Sequence, residues 1–166
     1  MKTSLNAIDI MKKMESLALL PYDDQVGIKP AIKNYVKGAT IGWGHLISQA
    51  EWYKYKNGIS EKEADFLFDL DLVPFEKAIN EMVVAKRSTK QNEFDALVML
   101  AFNIGVGNFR TSSVLKMVLG QQSNYRSLES AWAAWNKSQG KVMNGLTKRR
   151  ALEYKLYKDG LYQYFK

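Results

Sequence analysis

Between positions 21 and 48 the chain is broken by Pro21, Gly27, Pro30, Gly38, Gly42 and Gly44, while the apolar residues on either side recur at helical spacing. Pro and Gly punctuate the backbone, and the pieces left between them, such as Ile32–Val36 and Thr40–Trp43, are β-prone. This is the only strand-like region, and it predicts a small antiparallel sheet of two or three strands. Everything after about residue 60 reads as helix. The expected class is α+β: a small β-containing N-terminal lobe and a larger helical C-terminal lobe, with a ligand cleft between them. With 166 residues the chain is read as a single domain, 1–166. The small lobe takes about 15–60, and the helical lobe takes about 61–166 plus the N-terminal helix.

The helices can be placed individually. Leu5, Ile8, Met11 and Met14 behind the N-cap Ser4 predict a helix over 5–15. Ser60-Glu61-Lys62-Glu63 is a capping box that opens a stripe of Phe68, Leu72, Phe75, Ile79 and Val83. Pro74 is expected to kink or split that helix. A helix over Gln91–Ile104 carries Phe94, Leu97, Val98 and Ala101 on one face and ends at Gly105-Val106-Gly107. Shorter ones follow at Ser112–Leu119, closed by Gly120, at Leu128–Lys137, and at Leu146–Lys158 before Gly160.

Composition removes several functions. The chain has no cysteine and one histidine, which excludes disulfides and thiolate metal sites and leaves no ligand-spaced cluster, so no metal and no cofactor is expected. No apolar run is long enough to span a bilayer. The N-terminal residues do not read as a signal peptide, because Asp9 and Lys12 interrupt any apolar stretch. The chain is therefore expected to be held in the cytoplasm. A net charge of +7 favours polyanions without choosing among nucleic acid, anionic lipid and an acidic wall polymer.

Three residues draw attention to one region. Glu15 stands at the C-terminal end of the first helix, where the helix dipole favours the protonated acid. Leu17, Leu19 and Leu20 are expected to draw its surroundings into the interior. Asp24 follows in a turn, Tyr22-Asp23-Asp24-Gln25-Val26-Gly27, and one of the two aspartates there is expected to be an Asx-turn residue. Thr40 heads Thr40-Ile41-Gly42-Trp43-Gly44-His45, whose glycines point to unusual dihedrals or close approach. A carboxylic acid on one side of a cleft and a water-directing group on the other is the pattern of glycoside hydrolysis. Each also has an ordinary reading: a surface helix end, a turn and a strand residue. His45 is read as structural, with Asp69 or Asp71 as partner and a His45–Asp71 pair preferred. Trp132, Trp135 and Tyr125 read as core or interface aromatics, with sugar stacking as the alternative. Lys148-Arg149-Arg150 is either a solvated face or an anion-attracting one, or else one of its arginines turns inward.

Taken together these segments resemble the phage-type lysozymes of glycoside hydrolase family 24. The resemblance rests on Glu15 with Tyr22-Asp23-Asp24, on the Thr40–His45 run, on Phe94-Asp95-Ala96-Leu97, on Phe102-Asn103-Ile104-Gly105, and on Gly145-Leu146-Thr147-Lys148-Arg149-Arg150-Ala151-Leu152-Glu153. It implies cleavage of the β-1,4 bond between N-acetylmuramic acid and N-acetylglucosamine of peptidoglycan, with inversion. Glu15 would be the acid, Asp24 the group that activates water, and Thr40 its helper. Leu46, Phe102 and Ser113 match cleft-lining positions. Where the family commonly has Gly after the acid, this chain has Ser16. The interval Gln25–Ala39 is long for the family and is read as an enlarged β-hairpin at the cleft rim. The resemblance further implies a monomeric endolysin released from the host cytoplasm by a separate membrane-permeabilising protein. Nucleic acid is not an expected partner, and the basic C-terminal stretch Lys148–Lys166 is expected to contact anionic outer membrane. The alternatives are a catalytically silent glycan- or polyanion-binding protein and a lytic transglycosylase.

Overall fold

The computed structural model describes residues 1–164; the last two positions of the basic C-terminal stretch lie outside the described residues. The chain divides into two compact units, Met11–Val73 and Met1–Ile10 together with Pro74–Lys166.

The first unit carries the predicted sheet. Helix α1 (Leu5–Met14) leads into it, and strands β1 (Ala18–Asp23), β2 (Ala39–Gly42) and β3 (His45–Leu46) pair antiparallel in that order. Ala39, Ile41, Ile47 and Leu67 form its buried cluster, and Ile32, Tyr35, Val36 and Ile59 pack against them. Ile32–Val36 is not a strand. Its apolar residues fall at 32, 35 and 36, which does not alternate, and they are spent covering that cluster. Residues 24–38 therefore form an irregular connection between β1 and β2. Leu19 and Leu20 are not interior either, being 41% and 54% exposed. β1 bulges here. Ala18 opposes Gly42 but Tyr22 opposes Thr40, so β1 uses four steps where β2 uses two. The bulged carbonyls of Leu19 and Pro21 turn away to accept the N–H groups of Ile59 (2.9 Å) and Ile32 (2.8 Å). After the short helix α2 (Trp52–Tyr55), Ser60 and Glu63 close the capping box: Ser60 N–H donates to Glu63 Oε2 at 2.7 Å.

Helix α3 (Glu61–Ile79) runs through Pro74 without splitting and continues as a π turn over Asn80–Val84. Phe68 and Leu72 before the proline and Ile79 after it are almost wholly buried. Their burial outweighs the lost hydrogen bond.

In the second unit, α4 (Gln91–Ile104) holds the bounds the periodicity predicts, but not the single apolar face. All eight residues from Phe94 to Ala101 are buried. Gly105, with φ of +87°, ends the helix, yet the chain re-enters α5 (Val106–Thr111), which is too short to show a period. α6 (Ser113–Val118) is capped by Ser112, whose oxygen accepts from Leu115 N–H at 3.0 Å. α7 (Leu128–Ala133) stops before Lys137, because Lys137–Ser138 and Lys141–Val142 pair as a two-residue hairpin, β4 and β5. Gln139 and Gly140 both take positive φ there, the geometry a tight hairpin turn needs. The chain thus has a second strand-like element. α8 (Asn144–Asp159) ends at Gly160 in the left-handed conformation. In Lys148-Arg149-Arg150 the lysine is solvated while the arginines turn inward. Arg150 is buried and donates to Asn103 Oδ1 (2.9 Å) and Glu153 Oε1 (2.8 Å), and Arg149 Nε donates to the same oxygen of Glu153 (3.1 Å). Trp132 is buried as a core residue, with its indole N–H on Glu153 Oε2 at 2.9 Å. Among the described residues no helix is long and apolar enough to cross a membrane.

Candidate active site

Glu15 closes the last turn of α1, its N–H donating to Met11 O at 3.0 Å, and its side chain is half-buried. Its carboxylate lies over Gly44, where a Cβ would stand 3.4 Å from Oε2. Gly44 has φ of +88°, a conformation that costs a side-chain-bearing residue dearly. The glycine therefore supplies both the turn and the room. Trp43 holds this turn in place. Its indole N–H donates to Asp65 Oδ1 (2.8 Å), which also accepts Lys12 Nζ (2.7 Å), and the ammonium lies 5.8 Å from the Trp43 ring centroid. Lys12 and Trp43 keep the Asp65 carboxyl below its ordinary range, burial acting against them.

The two aspartates of the turn divide their work. Asp23 is the Asx-turn residue: its Oδ1 accepts Gln25 N–H at 3.0 Å, and its carbonyl accepts Gly27 N–H at 2.8 Å. Asp24 is left exposed beside the strand ends. Its N–H donates to the Gly38 carbonyl at 3.0 Å, and that same carbonyl accepts the Thr40 hydroxyl at 3.0 Å. One oxygen thus fixes the backbone of Asp24 and the rotor of Thr40 together. With its proton committed, the buried Thr40 Oγ1 keeps its lone pairs for a donor such as water.

Tyr22 completes the group. The bulge sets it opposite Thr40 on the same face of the sheet. Burial raises its phenol pKa first, and the charges of Glu15 and then Asp24 raise it further. Tyr22 is thus a neutral hydroxyl within electrostatic reach of both carboxylates. Sequence reading named it only as part of the Tyr22–Gly27 turn, because the bulge that sets it opposite Thr40 has no local signal.

The remaining residues separate. Leu46, opposite Thr40 in β2–β3, is 59% exposed. Phe102 and Ser113 belong to the other unit. Phe102 packs edge-on against Phe75, with ring centroids 5.1 Å apart. Ser113 lines a concavity with Ser112, Tyr125 and Trp135. Tyr125 is 41% exposed and so is not core.

His45 Nδ1 lies 2.9 Å from Asp71 Oδ2, so the ring is tied to α3 in a structural pair. The Asp71 hydrogen bond raises the His45 pKa, burial opposing it. Because the folded value lies above the unfolded one of about 6.5, the pair stabilises fully below about pH 6.5. That stability is lost as pH rises through the folded-state value. The pair is partly exposed, His45 at 15% and Asp71 at 30%, so screening limits the effect to about 1 kcal/mol or less. We expect the stability difference between the wild type and Asp71→Asn to shrink between pH 5.5 and 8.5 in urea titrations. A difference constant across that range, or a His45 NMR titration unmoved by the substitution, would disprove the linkage.

The phage lysozyme family matches residues 12–153. An endolysin of Bacillus phage PZA is 36% identical over 160 residues, covering 96% of this chain, but the chain spans only 56% of that relative's length. Among solved structures, an endolysin from Escherichia coli O157:H7 phage FAHEc1 superposes with a TM-score of 0.78 at 31% identity, covering 99% of this chain and 98% of the other. The muramidase domain of SpmX from Asticaccaulis excentricus does so at 0.72 and 28%, covering 95% of this chain and 97% of the other.

Proposed function

We propose, since the chain belongs to the phage lysozyme family, that it hydrolyses the β-1,4 bond between N-acetylmuramic acid and N-acetylglucosamine in peptidoglycan. The observation that carries this reading is the Gly38 carbonyl shared by Asp24 and Thr40, with Glu15 seated over Gly44 in the same unit. Glu15 protonates the glycosidic oxygen. Asp24 takes a proton from the attacking water, and Thr40 Oγ1 orients that water by accepting its other hydrogen. Tyr22, its pKa raised by burial and by the charges of Glu15 and Asp24, adds a neutral hydroxyl rather than a third anion near them. Attack by water on the face opposite the leaving group inverts the anomeric carbon. Leu46, exposed opposite Thr40, offers the glycan an apolar contact in the same unit.

The biological role that follows is an endolysin, as its relatives are named. It acts as a monomer, is held in the host cytoplasm, and reaches the wall once a separate protein opens the membrane. Outer-membrane contact through α8 falls to the exposed Lys148, Lys155 and Lys158, since Arg150 is buried.

Mass spectrometry of digested murein tests the reaction. Reducing muramic acid ends are expected. Anhydro-muramic ends would make the chain a lytic transglycosylase, and an intact polymer with bound protein would make it a silent binder.

A further inference from the structure

We propose that Gln25 is a positioning residue that decides which oxygen of Asp24 meets the water. This rests on the muramidase reading above. Gln25 Nε2 donates to Asp24 Oδ1 at 2.8 Å, and its own backbone N–H is tied to Asp23 Oδ1 at 3.0 Å. The side chain therefore starts from a fixed point and reaches a fixed target. Gly38 forms the other wall: a Cβ there would collide with Asp24 Oδ1 and crowd Asp23 Oδ1. The carboxylate is thus seated in a gap that only glycine leaves, with Oδ1 already accepting an amide hydrogen. The second oxygen is left for the water, and the amide hydrogen bond holds the carboxylate plane in one orientation. An exposed carboxylate on a turn would otherwise sample several rotamers. Holding it close to one productive geometry is worth a measurable share of the rate.

Asp23 shares the gap at Gly38 with Asp24, Tyr22 feels the charges of both Glu15 and Asp24, and the exposed Lys37 precedes Gly38 in the chain. Gln25 brings its donor to this acidic neighbourhood without adding charge.

Two substitutions of this exposed residue separate orientation from charge. Gln25→Met keeps the length and removes the donor. Its kcat on soluble murein fragments is expected to fall about 10-fold with KM within 2-fold of wild type. Gln25→Glu sets a second carboxylate against Asp24. A like charge raises the pKa of the base, so the acidic limb of the kcat/KM profile is expected to move up by about one pH unit while the alkaline limb stays. A merely structural Gln25 moves neither quantity. Wild-type kcat in Gln25→Met, an unmoved acidic limb in Gln25→Glu, or a change confined to KM would each overturn the proposal. Asp24→Asn is the separate control: full activity there would overturn the role of Asp24 itself, whatever Gln25 does.

Discussion

Glu15→Gln is expected to lose essentially all murein hydrolysis, a fall of about 10³-fold or more, within the range that general acid catalysis supplies. The amide matches the acid in shape but has no proton to give to the glycosidic oxygen. The leaving sugar must then depart as an alkoxide. The effect should exceed those at the other two positions. Asp24→Asn leaves a weaker acceptor for the water proton but keeps the backbone bond to Gly38. Thr40→Ala removes one lone-pair site, and about a 10-fold loss is expected from a group that only orients water. Turbidity loss of chloroform-treated Gram-negative cells measures all three, with cooperative unfolding as the check on folding. Clearing at the wild-type rate by Glu15→Gln would remove Glu15 from the mechanism.

The largest expected loss of stability lies in the other unit. Glu153 is completely buried and gathers three donors: Arg150 at 2.8 Å, Arg149 at 3.1 Å and the Trp132 indole at 2.9 Å. Burial pulls the Arg150 guanidinium below its ordinary pKa, and the Glu153 charge opposes that pull. Glu153→Ala leaves a buried guanidinium without its counter-charge. Breaking such a pair costs about 3–5 kcal/mol, a large part of the stability of a domain this size. Denaturant titration measures it. The double variant Glu153→Ala with Arg150→Met should lose less than Glu153→Ala alone, because the fully buried guanidinium is removed together with its counter-charge and only Arg149, 12% exposed, still loses a partner. A single-variant loss below about 1 kcal/mol would show that water or another carboxylate compensates Arg150.

What the sequence made legible follows from the physics of each element. The capping box at Ser60 and the end of α4 at Gly105 are local codes, and both stand where they were read. The three-stranded sheet was visible because Gly and Pro left little room for anything else. Ile32–Val36 misled because β-branched composition was read without its spacing. The bulge in β1 was invisible, since nothing local says that the carbonyls of Leu19 and Pro21 will find Ile59 and Ile32. The same limit applies to the site. Glu15, Asp24 and Thr40 stand out by type and spacing. The shared Gly38 carbonyl and the Trp43–Asp65–Lys12 cluster are long-range pairings that only the fold creates. The inward-turning alternative for Lys148-Arg149-Arg150 is the one Arg150 takes, but the sequence left it open, because its burial depends on neighbours distant in sequence.

The all-round burial of α4 sets an order for biosynthesis. Residues 94–101 leave the ribosome some fifty positions ahead of α8, which supplies part of their cover: Asn92 Nδ2 donates to the carbonyls of Leu156 (3.0 Å) and Tyr157 (2.9 Å), and Asn103 accepts from Arg150. Until that final helix emerges, the nascent chain carries an oily segment with its cover incomplete, a species prone to self-association. A premature stop before Asn144 should therefore yield inclusion bodies rather than a weakly active fragment.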